Sequence, residues 1–444
     1  MKIAMIAMSG VRAYDPVLTQ IGMSLPGFAD RANAIASLPS LSLLTIAALT
    51  PDRHDVTYHE IEDVQAAKQL PTCDVAAIST FTARVKDAYA VSEHYRRQGT
   101  LTVIGGLHAT ALPHEAKEHF DSVVVGEGEI GWPRLVRDLE KGRLQDFYRA
   151  NGQEFDLSHA PMPRFDLLGP RKRNRFTVQT QRGCPWRCDF CASSIQLTSR
   201  YKLKPPAMVA AEIESIVDLY ADPFIEFADD NTFVDKRRSR ELMEAVGETG
   251  VKWFTETDVS IAEDPGLLEM MREAGCQEIL IGFETPTTNG LDGLELRRNW
   301  KSLQRDKYLS AIDRIQSAGI AVNACFVLGL DGDGSDVFES VHRFVAQTQP
   351  FDVQITVLTP FPGSASYERL RREGRIIEEE AWERCTLFDV NIRPQLLTAR
   401  ELEEGFVQLG LELYGDDAVR RRRAAFRARL KSQVDDAAAA GVEP

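Results

Sequence analysis

The order of hydrophobic runs predicts an α/β protein: an N-terminal doubly wound, flavodoxin-like domain, then a partial (β/α)6 TIM-type barrel, then a C-terminal helical segment. Three observations predict it. Short β-branched runs alternate with helical stretches over residues 2–141, and the alternation starts afresh after residue 175. Such alternation gives a parallel sheet covered on both faces. The stretch between carries Pro161, Pro163 and Pro170 with little periodicity, as an interdomain connection does. A chain of 444 residues also exceeds one ordinary domain. The expected units are 1–141, a linker 142–174, a barrel 175–366 and a helical segment 367–444.

In the first unit, residues 2–8, 55–61, 74–80, 101–106 and 122–127 read as strands. Five strands of this kind suit a doubly wound sheet, whose ligand sits beyond the carboxyl ends of the strands. The candidates there are Gly10, Ser79, Gly105, Gly106, His108, Gly126 and Glu127. Glycine at such places permits tight turns and close backbone approach to a ligand. It is equally how ordinary strand-to-helix turns are made, so both readings stand.

The second alternation offers strands at 176–180, 224–228, 251–255, 278–283, 320–328 and 352–358. Helical stretches lie between them at 208–220, 237–246, 265–274, 301–318 and 336–347. Six strand–helix units make three quarters of a full barrel, with a site expected on the loops at the carboxyl ends of the strands. Helices are expected at 399–413 and 418–431, ahead of a frayed Ala-rich tail.

Composition narrows the function. Lys plus Arg at 52 against Asp plus Glu at 66 gives a net charge of −14, which argues against general affinity for nucleic acids or anionic membranes. The run Arg420–Arg423 therefore reads as a solvated helix face. The apolar N-terminal run is too short to span a membrane or serve as a signal peptide, and a cytoplasmic location is expected. Of seven cysteines, Cys73, Cys276, Cys325 and Cys385 are scattered and read as inert buried thiols in a reducing compartment.

The other three fall within eight residues directly after the first barrel strand: Cys184, Cys188 and Cys191, spaced C-x3-C-x2-C. A zinc knuckle would want a fourth Cys or His nearby, and residues 192–201 hold neither. Iron–sulfur clusters are normally held by four cysteines, so three leave one iron for an outside molecule. Trp186 and Phe190 beside them would shield a cluster or simply pack.

The motif resembles that of the radical S-adenosylmethionine (SAM) superfamily, and so do the strand ends that follow. Phe227-Ala228-Asp229-Asp230-Asn231 resembles the segment near the SAM amino group, with Asp229 and Asp230 as implied contacts, although the family's glycines are absent. Ile281-Gly282-Phe283-Glu284 resembles the segment whose Glu contacts the SAM ribose. Gly329 lies in a strand similar to the one flanking adenine, and residues 359–364 are also shared with relatives that carry a cobalamin-type domain. The resemblance implies a [4Fe-4S] cluster on Cys184, Cys188 and Cys191 as metal and catalytic ligands, with SAM at the open iron.

The N-terminal unit resembles the cobalamin (B12)-binding domain of class B radical SAM methyltransferases, through residues 38–49, 105–110 and 125–129. The D-x-H-x-x-G histidine of base-replacing cobalamin domains is missing, because the loop after the first strand reads Ser9-Gly10-Val11-Arg12-Ala13-Tyr14-Asp15. His108 sits in the loop after the fourth strand, where a structural role is expected rather than cobalt ligation. The two resemblances together cover most of the chain. They imply an enzyme that reductively cleaves SAM to a 5′-deoxyadenosyl radical for cobalamin-dependent methylation of an unactivated carbon in a small molecule or natural product. They also imply an external one-electron reductant such as flavodoxin or ferredoxin. Rival readings are a radical SAM cyclase, mutase or oxidoreductase, and a non-catalytic iron–sulfur or zinc sensor.

Overall fold

The computed structural model describes residues 1–25, 38–64, 70–170, 173, 175–191 and 201–439. Its first sheet contains β1 (Lys2–Met8), β2 (Asp55–Ile61), β3 (Val75–Ser79), β4 (Leu101–Gly105), β5 (Ser122–Val125) and β6 (Phe147–Arg149), all parallel in the order β2-β1-β3-β4-β5-β6. The central β1 is buried from Ile3 to Met8, as its unbroken apolar run requires when helices cover both faces. The edge strand β2 instead mixes exposed and half-buried residues. β6 is a correction, since it lies in the region expected to be linker. Three residues are too short to show a period of two, and only pairing of Phe147 to Arg149 with Val123 to Val125 makes them a strand.

The second sheet contains β7 (Phe176–Val178), β8 (Phe224–Phe227), β9 (Lys252–Thr257), β10 (Cys276–Glu284), β11 (Ala321–Leu328) and β12 (Asp352–Val357), parallel and in chain order. This is the expected open, six-stranded part of a barrel. The helix expected over 301–318 is broken into Trp300–Gln304, a 3-10 turn Arg305–Lys307, and Tyr308–Ser317. A continuous buried cluster runs from Ile6 and Ile78 of the first sheet through Ile279 and Ile355 of the second, so the two units share a core.

The C-terminal segment ties the units together. Asp389 accepts the backbone N–H groups of Tyr14 and Asp15 at 2.7 and 2.8 Å, while Val357 at the end of β12 donates to Leu387. Helix Ala399–Tyr414 starts with a capping box between Thr398 and Glu401. The arginine run is not wholly solvated as expected, because Arg422 is buried and donates to the Leu413 carbonyl at 2.8 Å. The end of the Ala-rich tail, residues 440–444, lies outside the described residues.

Candidate active site

The cysteine loop leaves β7 at the carboxyl end of the barrel sheet. Gln181–Arg182 pairs antiparallel with Lys202–Leu203, which fixes both ends of the loop. A second strap, the segment after β10, lies over its middle. Cys188 bridges Glu295, the Asp189 N–H donates to Leu294, and the Leu296 N–H donates to Arg187. The buried Glu295 carboxylate accepts the N–H groups of Arg187, Arg297 and Arg298 at 3.2, 3.1 and 2.7 Å. Burial works against its charge, but these donors hold it below the usual carboxylate range.

Cys184, Cys188 and Cys191 line one cavity of about 310 Å³. Asp230, Asn231, Glu256, Glu284 and Lys301 share it, with an apolar remainder that includes Leu280, Val327, Leu358 and Phe361. Asn231 reaches toward Cys184 at 3.9 Å and also donates to Asp258 at 2.8 Å, which takes a further bond from the Trp186 indole at 3.1 Å. Glu284 has the left-handed φ of 61°, at a register break between Gly282 and Glu284. Such backbone is strained for a residue with a Cβ. The strain turns the carboxylate into the cavity, where Lys301 Nζ binds it at 2.7 Å and the Gly282 carbonyl at 2.6 Å. A Cβ on Gly282 would stand 2.5 Å from Glu284 Oε1, so any larger residue there would displace the carboxylate from this position.

A second cavity of about 290 Å³ opens at the carboxyl ends of the first sheet, walled by Ser79, Gly105, Gly106, Gly126, Glu127 and Gly128 and by Leu41, Leu43, Thr45 and Ile46. Gly106 and Gly126 take φ of +107° and +85°, and a Cβ on Gly128 would press on Ile46 at 3.1 Å, so bare backbone shapes this cradle. The wall continues into the barrel through Gln179, Arg182 and Lys204. Arg182 donates to Glu127 Oε1 at 2.7 Å and to Glu129 Oε1 at 2.6 Å, and Lys202 holds Glu127 at 2.9 Å. The residue two before Cys184 is thus ion-paired to the turn that walls the N-terminal cavity.

Family comparisons agree with this geometry. The B12 binding domain model matches residues 30–136, and the radical SAM superfamily model matches residues 178–345. The chain belongs to the B12-binding class of radical SAM enzymes. It is 26% identical over 393 residues to bacteriochlorophyllide d C-12(1)-methyltransferase of Chlorobaculum tepidum, covering 87% of this chain and 84% of that one. It is 26% identical over 357 residues to hopanoid C-2 methylase of Rhodopseudomonas palustris, covering 78% and 66%. In fold it is similar to the radical SAM methyltransferase TsrM of Kitasatospora setae, with TM-score 0.62, 14% identity and coverage of 84% and 78%.

The residues of this radical SAM enzyme fit the groups its class uses. Among the described residues no three Cys, His, Asp or Glu side chains converge on a single ion. A cubane asks for less convergence, since each thiolate takes its own iron. Burial pushes the Cys184 thiol up to about 12 and raises that of Cys188 as well. Such thiols stay protonated until a metal centre supplies the positive charge that replaces the protons. The N-terminal cradle offers bare backbone at Gly105, Gly106, Gly126 and Gly128, with Ser79 and Thr45 beside apolar Leu41, Ile46 and Trp132, and no histidine among the described residues that line it.

The structure divides the expected site residues. Ser79, Gly105, Gly106, Gly126 and Glu127 meet at the N-terminal cavity, and Asp230 and Glu284 join the three cysteines. Four do not reach either cavity. Asp229 is buried beneath the start of the cysteine loop, accepting the N–H groups of Thr180 and Gln181 at 2.8 and 3.1 Å. Gly329, at φ +85°, takes the close approach of Leu402. The Gly10 carbonyl accepts from Arg84 at 3.1 Å, away from the cavity wall. His108 is buried among Tyr89, Glu115 and Trp382. Sequence reasoning missed Lys301, Asn231, Asp258 and Glu256. The last had a signal, a lone acid inside a strand whose neighbours Phe254 and Thr255 are buried. Burial and the nearby Glu226 and Asp230 push its carboxyl up to about 8. Cys325, read as inert, also faces the cluster cavity.

Proposed function

We propose that this enzyme methylates an unactivated carbon of a small molecule with an apolar ring framework, using SAM and cobalamin. One observation carries the reading: a three-cysteine cavity and a glycine-walled cavity lie on successive α/β units, and Arg182, two residues before Cys184, stands in the wall of the second and is ion-paired to its Glu127 and Glu129. When bound, the cluster with SAM supplies a 5′-deoxyadenosyl radical, and cobalamin supplies a methyl group. The chain provides the rest. The three cysteines would hold the cluster, Lys301 pairs with Glu284 and aims it inward, and Leu280, Val327 and Phe361 give the cavity an apolar wall that keeps solvent out. The named relatives act on a bacteriochlorophyllide and a hopanoid, which supports the substrate class. No helix among the described residues is long and apolar enough to cross a membrane, and reduced cysteines fit a cytoplasmic setting.

The test is anaerobic reconstitution with iron, sulfide and hydroxocobalamin, removal of unbound cofactor, and quantification of corrinoid per chain and of SAM products. Near-stoichiometric corrinoid, with S-adenosylhomocysteine formed alongside 5′-deoxyadenosine, is expected. 5′-Deoxyadenosine alone would replace methylation with the cyclase or mutase reading, for which the 26% identity to a magnesium-protoporphyrin IX monomethyl ester cyclase is a precedent. No SAM cleavage beside an intact cluster would leave a non-catalytic iron–sulfur protein.

A further inference from the structure

The outer side of the cysteine loop does not share the character of the whole chain. The protein carries a net charge of −14, yet Arg187, Arg297 and Arg298 are all exposed where the strap after β10 crosses the loop. None of the three has a carboxylate partner for its guanidinium among the described residues, and Arg297 reaches only the Pro185 carbonyl, at 3.4 Å. The carboxylate that might have neutralised them, Glu295, is turned inward and spent on backbone N–H groups of these same residues. Their placement is therefore fixed by the architecture of the loop. Beside them Leu296 and Leu303 are 53% and 69% exposed. Behind them Trp186 and Trp300 stack with ring centroids 4.5 Å apart, and Trp186 lines the cysteine cavity.

We propose that this patch is the docking surface for an acidic one-electron carrier protein, which delivers its electron to the cluster through the thin wall formed by the loop and the tryptophan pair. The proposal rests on the cluster assignment above. Uncompensated arginines on an acidic protein create a local positive field that steers an acidic partner and fixes its orientation. Exposed leucines give a dry contact at the centre of a polar rim. The electron balance is simple: the carrier is oxidised by one electron, and the cluster is reduced by one. No proton or bond is exchanged at this surface. The arginines do not line the cavity, so they are distinct from the groups that face SAM and substrate.

The experiment is stopped-flow reduction of the reconstituted holoenzyme by flavodoxin hydroquinone, with titanium(III) citrate as a small reductant that needs no docking. The variant is R187E/R297E/R298E, with R187Q/R297Q/R298Q as a milder second set should charge reversal impair folding. Flavodoxin reduction is expected to slow by about tenfold or more in the reversed variant, and wild-type reduction to slow as ionic strength rises to about 0.5 M. Titanium(III) reduction and cluster content should be unchanged. Unaltered flavodoxin rates in both variants, or a wild-type rate indifferent to salt, would overturn the docking surface. Failure of titanium(III) to reduce any cluster in the wild type would instead overturn the cluster assignment on which it rests.

Discussion

Removing Arg182 tests whether the two units are held in register by charge. The guanidinium side chain is 13% exposed and serves Glu127 and Glu129, themselves 4% and 7% exposed. In R182M, Lys202 still compensates Glu127, but Glu129 loses its only direct cation among the described residues. Breaking a buried pair from one side costs roughly 3–5 kcal/mol, because the remaining charge stays desolvated. With Lys202 still nearby, the lower end, about 3 kcal/mol, is expected, or about two powers of ten in the unfolding equilibrium. Urea unfolding at pH 7 followed by tryptophan fluorescence measures it. E129Q/R182M should recover part of the loss, since no charge is then stranded. The pH dependence has a fixed sign. Burial raises the Glu129 carboxyl, but Arg182 more than offsets this and holds it below its ordinary 4.5. Its stabilising contribution is present above that value and fades as pH falls below it. If R182M lies within about 0.5 kcal/mol of wild type, a surface-like value, the ion pairs do not hold the interface.

The other predictions concern the cavity and its supports. C184A, C188A and C191A should each lose the cluster absorbance and SAM cleavage together; continued 5′-deoxyadenosine formation by any of them would contradict the ligand assignment. K301M strands Glu284 in the cavity and should destabilise the fold by about 3 kcal/mol in thermal unfolding, with E284Q/K301M more stable than K301M alone. Asp229 has its carboxyl raised by burial from 3.8 to about 6. A raised acid favours folding below its unfolded value and loses that contribution as pH climbs through the folded one. Wild type should therefore lose stability relative to D229N between about pH 4 and 6, and a flat difference would show that Asp229 does not titrate there.

Much of the fold was legible in the chain because its signals are local. β1 and β2 fall on residues 2–8 and 55–61 as expected, since β-branched runs between turn signals need no distant partner to be recognised. The three cysteines were legible for the same reason, being gathered at a recognisable spacing in one loop. Other roles depend on contacts that sequence separation hides. Asp229 and Asp230 are neighbours, yet one is consumed by Thr180 and Gln181 while the other faces the cavity. Lys301 lies in a helical stretch that reads as surface, and the 17-residue return from Glu284 brings its ammonium into the barrel.

The sequence by itself determined the class of chemistry: three thiols on one loop, set behind a barrel strand and preceded by a doubly wound unit. These follow from spacing and hydrophobic period, which are properties of the chain before it folds. Only the tertiary structure decided which carboxylates face the cavity, that Arg182 pairs with Glu127 and Glu129 across the two units, and that three arginines over the cysteine loop of an acidic protein have no carboxylate partner among the described residues. Those outcomes depend on burial and on charge-to-charge distance, and both quantities come into existence only when remote segments pack together.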